Sequence, residues 1–163
     1  MLIRTRSALV AAAALTLAGV AYAAPPSADF VAKAGASDLY EKTSSQLVLA
    51  STHDASVRRF AAEMVKDHSK STQMVKAAAL RSGLHPKPPA LDAKLQGLVA
   101  DLRKAKGADR DHLYLDQQKQ AHADALSLMQ DYAATGSDAA LRKAAGQIVP
   151  VVQHHIEMLN GIH

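Results

Sequence analysis

VRRFAAEMVKDHSKSTQMV, residues 57–75, decides the fold of this chain. Val57, Ala61, Met64, His68, Ser71 and Val75 recur at steps of three and four, the period of a helix that buries one face. The imidazole of His68 takes a place on that face where the pattern calls for an aliphatic side chain. Working outward, Glu41 upstream and His122 and His155 downstream each fall on the apolar stripe of a helix of their own. Four segments thus carry a polar group inward.

Upstream, the spacing predicts a helix over 29–51 with Phe30, Ala34, Ser37, Tyr40, Glu41, Ser44, Leu47 and Val48 inward, capped by Ser27 or Asp29. The link 51–54 supplies cap residues and is short enough to force an antiparallel return. The helix through residues 57–75 stops at Gly83, before His85-Pro86-Lys87-Pro88-Pro89 makes continuation impossible. Leu91, Leu95, Leu98 and Leu102 then mark a short amphipathic helix that stops at Gly107. Its apolar stripe is expected to cover the open end of the fold in preference to lying on a membrane. A third long helix over 109–134 turns Leu115, Gln118, His122, Leu126 and Met129 inward, with Tyr114 at the edge of the stripe. After Gly136 and a Ser137 cap, the last helix carries Leu141, Ala145, Ile148, Val152, His155, Leu159 and Ile162. Pro150 removes one helical hydrogen bond there, which predicts a kink or local unwinding just before His155. The connection between the second and third long helices spans about 25 residues, against roughly two to eight between bundle neighbours, so it is a crossover. Two antiparallel pairs joined in this way define an all-α, ferritin-like four-helix bundle with an extra helix in the crossover.

At 163 residues the chain supports one domain with a substantial core. Residues 1–23 read as a signal peptide, with Arg4 and Arg6 ahead of an uncharged run and Ala21-Tyr22-Ala23 as the cleavage site. The domain then occupies 24–163, exported to the periplasm. Retention of the leader as an anchor is the lesser alternative, because the run is short for a span and is followed by Ala-Pro-Pro. Losing the leader takes the balance from 19 basic and 15 acidic residues to 17 and 15. That near-neutral, interleaved charge argues against nucleic-acid binding. With no cysteine, an exported fold must rest on packing alone, and a lipoprotein anchor is excluded. Nucleophilic catalysis and phosphate-loop chemistry lack their motifs.

The order of Asp29-Phe30-Val31, Tyr40-Glu41, FAAEMVKDH (60–68), YLDQQKQAHADAL (114–126) and PVVQHHIEM (150–158) resembles the bacterial exported domain-of-unknown-function 4142 family, over essentially the whole mature chain. The resemblance implies a periplasmic, ferritin-like helical bundle of a kind often labelled a membrane or outer-membrane protein. It implies little chemistry.

Placed along their helices at 1.5 Å per residue, Glu41 and His68 lie about 18 and 22 Å from their common link, at similar depth. His122 and His155 lie about 21 and 28 Å from theirs, a poorer match unless a kink at Pro150 shortens the path. One carboxylate and three imidazoles suit a single zinc, copper or iron ion, with Gln118 placed to orient the ring of His122. The Glu-x-x-His pattern of di-iron bundles is missing, because Val65 and Val152 stand three residues before His68 and His155. The favoured reading is a buried polar network that fixes helix register, and the mononuclear metal site is its rival. His53, His85, His112 and His163 read as surface residues, His154 points away from His155, and Asp67 and Glu157 read as solvated or ion-paired. The expected function is a non-enzymatic binding, structural or stress-related envelope protein. The alternative is a metal-binding or redox protein using Glu41, His68, His122 and His155. Ligand, partner and oligomeric state carry no sequence signal.

Overall fold

The computed structural model describes residues 26–162; the expected signal peptide and the terminal His163 lie outside them. Five helices follow in order: α1 (Ser27–Leu49), α2 (Ala55–Arg81), α3 (Ala93–Lys104), α4 (Gly107–Thr135) and α5 (Ala139–Asn160). No strand occurs among the described residues.

α1 packs on α2 and α4, and α5 packs on α2 and α4, so the four long helices form a ring. Polar pairs fix the direction of α4 against α1. Ser27 meets Tyr132, Tyr40 meets Gln117, Ser45 meets Tyr114 and Thr52 meets Asp111, so the numbers run oppositely and the helices are antiparallel. With α1 also antiparallel to α2, the crossover must carry the chain back along the bundle, which is the ferritin-like connectivity. α3, on that crossover, packs against α1 and α4 and buries Val99 and Leu102.

The starts and stops have local causes. Asp54, Asp92 and Asp138 each accept backbone N–H groups as N-caps of α2, α3 and α5. Two expected caps are corrected. Asp138 caps α5 in place of Ser137, because its carboxylate reaches Leu141 N at 2.8 Å. Neither Ser27 nor Asp29 caps α1, whose N-cap is Pro26 without a side-chain bond. Ser27 instead bonds Tyr132 Oη at 2.8 Å and Ser137 Oγ at 3.1 Å. α2 ends before Gly83, which adopts φ +73°. Gly136 serves a different need, since a Cβ there would stand 2.5 Å from the ring of Tyr132. α5 continues unbroken through Pro150, so the expected unwinding does not occur.

The core is divided in two. One apolar cluster at the α1 N-terminal end contains Phe30, Val75, Met129, Tyr132, Leu141 and Ile148. The other, toward the α1–α2 turn, contains Val48, Phe60, Met64, Tyr114, Leu115 and Leu159. On every long helix the inward polar residues fall between the positions that feed these two clusters, apart from Asp111, which lies beyond Tyr114 and accepts from Thr52 at the α1–α2 turn. The bundle is therefore an apolar, polar, apolar sandwich along its axis.

Candidate functional site

The middle layer holds Glu41 on α1, His68 on α2, His122 on α4 and His155 on α5, none more than 4% exposed. The helical period puts each there: Glu41 lies seven residues before Val48, His68 four after Met64, His122 seven after Leu115 and His155 four before Leu159. The three rings pack with centroids 5.7, 5.4 and 5.3 Å apart. One nitrogen of each ring lies within 4.8 Å of one from each of the others, and Asp38, Glu41 and His68 satisfy the same test. The four expected residues are brought together, but as two triads that share His68.

Each ring has one nitrogen held by an acceptor on the outside of the cluster. His68 Nδ1 lies 2.9 Å from Asp38 Oδ1, His122 Nδ1 lies 2.9 Å from the Gln118 carbonyl, and His155 Nε2 lies 3.3 Å from Asp67 Oδ2. These partners can only accept, so those nitrogens carry the N–H. In the neutral rings the lone pairs then sit on His68 Nε2, His122 Nε2 and His155 Nδ1. The last two face each other at 3.3 Å. Two lone pairs at that separation repel unless a proton or a cation lies between them.

Glu41 stands on the other side of the rings. Its Oε2 is 2.7 Å from His68 Nδ1 and its Oε1 is 3.6 Å from His122 Nδ1. A single proton on His68 Nδ1 serves one acceptor, and its direction favours Asp38. Both Glu41 oxygens and His68 Nε2 are left buried without a hydrogen-bond partner. Such groups are expensive to leave unmatched.

The electrostatics divide the cluster. Burial disfavours a charged His68, but Glu41 and Asp38 outweigh it and push its pKa up to about 10. Burial likewise opposes ionised Glu41, and the charges of His68, then His122 and His155, hold its carboxyl below the ordinary value. Burial dominates at Asp38, which is raised. It also dominates at His122, which is lowered, and at His155, pushed down to about 4 by burial together with His68 and His122. With no metal bound, one proton on His68 is the only cation the layer favours.

Three details differ from the expectation. Gln118 orients His122 through its backbone carbonyl, while its side-chain amide donates to Ser44 Oγ at 3.1 Å. The carbonyl is the one that the helix itself presents four residues back, so the side chain is free to bridge to α1. Asp67 is ion-paired as expected, 3.8 Å from Lys66 Nζ, but its other oxygen also binds His155 Nε2 at 3.3 Å, which was not. Asp38 was not anticipated at all. Its signal was present, since it lies three residues before Glu41 and so on the same face. Asp67 had none, because its neighbour His68 takes the inward position and only the closeness of α5 gives Asp67 this second partner. His53, His85 and His112 are exposed as expected. His154 is exposed and lies 3.8 Å from Glu63.

Fold and site together define an all-helical, ferritin-like bundle with a buried histidine and carboxylate layer at mid-height. The chain belongs to the family described as domain of unknown function DUF4142, which it matches over residues 12–162. Its fold is similar to that of a DUF305 fragment from Deinococcus radiodurans, with a TM-score of 0.72 and 17% identity, over 84% of this chain and 97% of that one. A DUF305 protein from Streptomyces coelicolor, provisionally described as secreted, aligns with a TM-score of 0.65 and 17% identity, over 82% and 87% of the two chains. No curated protein matches the chain. Among the described residues no helix is long and apolar enough to cross a membrane.

Proposed function

We propose that this is an exported metal-binding bundle protein, holding one divalent transition-metal ion through His68, His122 and His155. The observation that carries the reading is the tethering of all three rings, which leaves one lone pair on each: those of His122 and His155 face each other at 3.3 Å, and His68 brings a ring nitrogen within 4.8 Å of one from each. Carboxylates and carbonyls on the far nitrogen are the usual means of fixing metal-ligating histidines. The 3.3 Å between His122 Nε2 and His155 Nδ1 also suits the metal. Tetrahedral zinc with bonds of about 2.0–2.1 Å spaces neighbouring nitrogens by about 3.3–3.4 Å. A divalent ion with neutral imidazoles would balance the charges of Asp38 and Glu41, and copper or iron fit the same donor set. In this reading Glu41 acts as a buried counter-charge beside the ligands. Burial on all sides favours holding the ion over turnover, so an enzymatic role is not proposed. Export to the periplasm is proposed from the leader sequence, and the secreted description of the Streptomyces neighbour supports it.

A second reading keeps the layer free of metal, with protonated His68 between Asp38 and Glu41 fixing helix register; the raised pKa of His68 favours it. The two separate in one experiment. Untagged protein isolated from the periplasm is analysed for metals and then melted with and without chelator. The metal reading expects about one ion per chain and a transition lowered by chelation, with both effects lost in His122→Phe and His155→Phe. Absence of a stoichiometric ion, together with failure to take up added Zn²⁺, Cu²⁺ or Co²⁺, leaves the register reading.

A further inference from the structure

A groove of about 710 Å³ runs along the outside of the bundle where α1 and α2 meet the proline-rich link after α2. That volume lies within the usual range of small-molecule sites, roughly 300–1,000 Å³. Ala28, Val31 and Ala32 of α1, Val75 of α2 and Leu84 form apolar walls. The fourth side is the strap 85–90, whose Pro86, Pro88 and Pro89 lack backbone N–H groups and restrict its conformation. Pro89 anchors the strap on α1. A Cβ added to Gly35 would lie 3.1 Å from the Pro89 ring, tighter than ordinary contact, so the glycine helps the strap seat this closely on α1. The groove is therefore formed before any ligand arrives.

Its charges have one sign. Lys76 and Lys87 are exposed side chains in its lining, His85 lines it too, and no carboxylate is among its described lining residues. An apolar trough with cationic side chains at its rim matches a molecule with an extended hydrocarbon part and one anionic head. We infer that this groove binds an anionic amphiphile, of the class of a long-chain carboxylate, with the chain against Val31, Val75 and Leu84 and the head at Lys76 and Lys87. The groove is distinct from the histidine layer. Thr72 links the two, since it lines the groove and lies 3.0 Å from Asp38 Oδ2. The inference does not depend on a metal.

Calorimetric titration of the chelator-treated protein with dodecanoate, below the concentration at which it forms micelles, tests the assignment. Dodecyltrimethylammonium and dodecyl maltoside serve as cationic and neutral controls. The expected result is saturable binding of one dodecanoate per chain, at least tenfold tighter than either control. Lys76→Glu with Lys87→Glu should weaken dodecanoate tenfold or more and bring the cationic probe level with it or ahead. Ala32→Phe should abolish binding of dodecanoate by filling the trough. All three positions are exposed, so helical content and melting should hold, and if Ala32→Phe unfolds the charge reversal decides alone. No saturable binding, equal binding of the three probes, or insensitivity to the charge reversal would overturn the inference. A concentration-dependent dimer that Ala32→Phe abolishes would also overturn it, by making a second copy of the chain the occupant.

Discussion

Replacing His68 by leucine in chelator-treated protein removes the one cation that the polar layer favours. Asp38 and Glu41, with side chains 4% and 0% exposed, are then left buried with no positive partner. Breaking a buried pair from one side costs about 3–5 kcal/mol, because the surviving charge keeps its desolvation penalty. For a domain of this size that lowers the melting point by roughly 10–20 °C. Glu41→Met should cost much less, under about 2 kcal/mol, since His68 keeps its contact with Asp38 at 2.9 Å. The double variant His68→Leu/Glu41→Met should be more stable than His68→Leu alone, as only Asp38 remains and Thr72 still lies 3.0 Å from it. Urea unfolding followed by circular dichroism at neutral pH gives all four corners of the cycle. If Glu41→Met costs as much as His68→Leu, or if His68→Leu costs less than about 1 kcal/mol, the layer does not contain a shared buried cation and the reasoning fails.

Without metal, stability should peak near pH 6.5, since His68 acts in one sense and His122 and His155 in the other. His68, raised to about 10, contributes fully below pH 6.5 and loses that contribution as pH climbs toward 10. His155, lowered to about 4, must stay neutral in the fold and costs stability as pH falls from 6.5 toward 4. Each titrating histidine contributes a limiting slope of about 1.4 kcal/mol per pH unit, read from urea midpoints, and His155→Phe should reduce the slope of the acid limb alone. Asp67→Asn should weaken metal binding about 10–100-fold by loosening the His155 tautomer, measured by competition with a chromogenic chelator. Gly136→Ala should cost about 1–3 kcal/mol by forcing the Tyr132 ring off Phe30, on which it stacks at 3.8 Å, and the loss will appear in the near-ultraviolet dichroism. Asp138→Ala should cost about 1 kcal/mol by uncapping α5, whereas Ser137→Ala should be close to neutral in the same unfolding assay.

The sequence by itself determined the helices, their connectivity and the inward direction of Glu41, His68, His122 and His155. Each follows from periodicity and link length, which are properties of one element or of two neighbours in the chain. A step of three or four is enough to assign a face, and a link of four residues is enough to turn a helix back. Only the tertiary structure decided the rest. Asp67 acquires its role from the approach of α5, and the tautomer of each ring from the acceptor behind it. Glu41 lies beside the Nδ1 atoms of His68 and His122, away from the lone pairs, a matter of side-chain direction that spacing cannot encode. Gly136 reads as a helix terminator, yet its lack of a side chain makes room for Tyr132, a contact formed only once that ring is stacked on α1. Periodicity assigns a residue to a face, but which atom meets which is set by the distances between helices that sequence spacing does not contain.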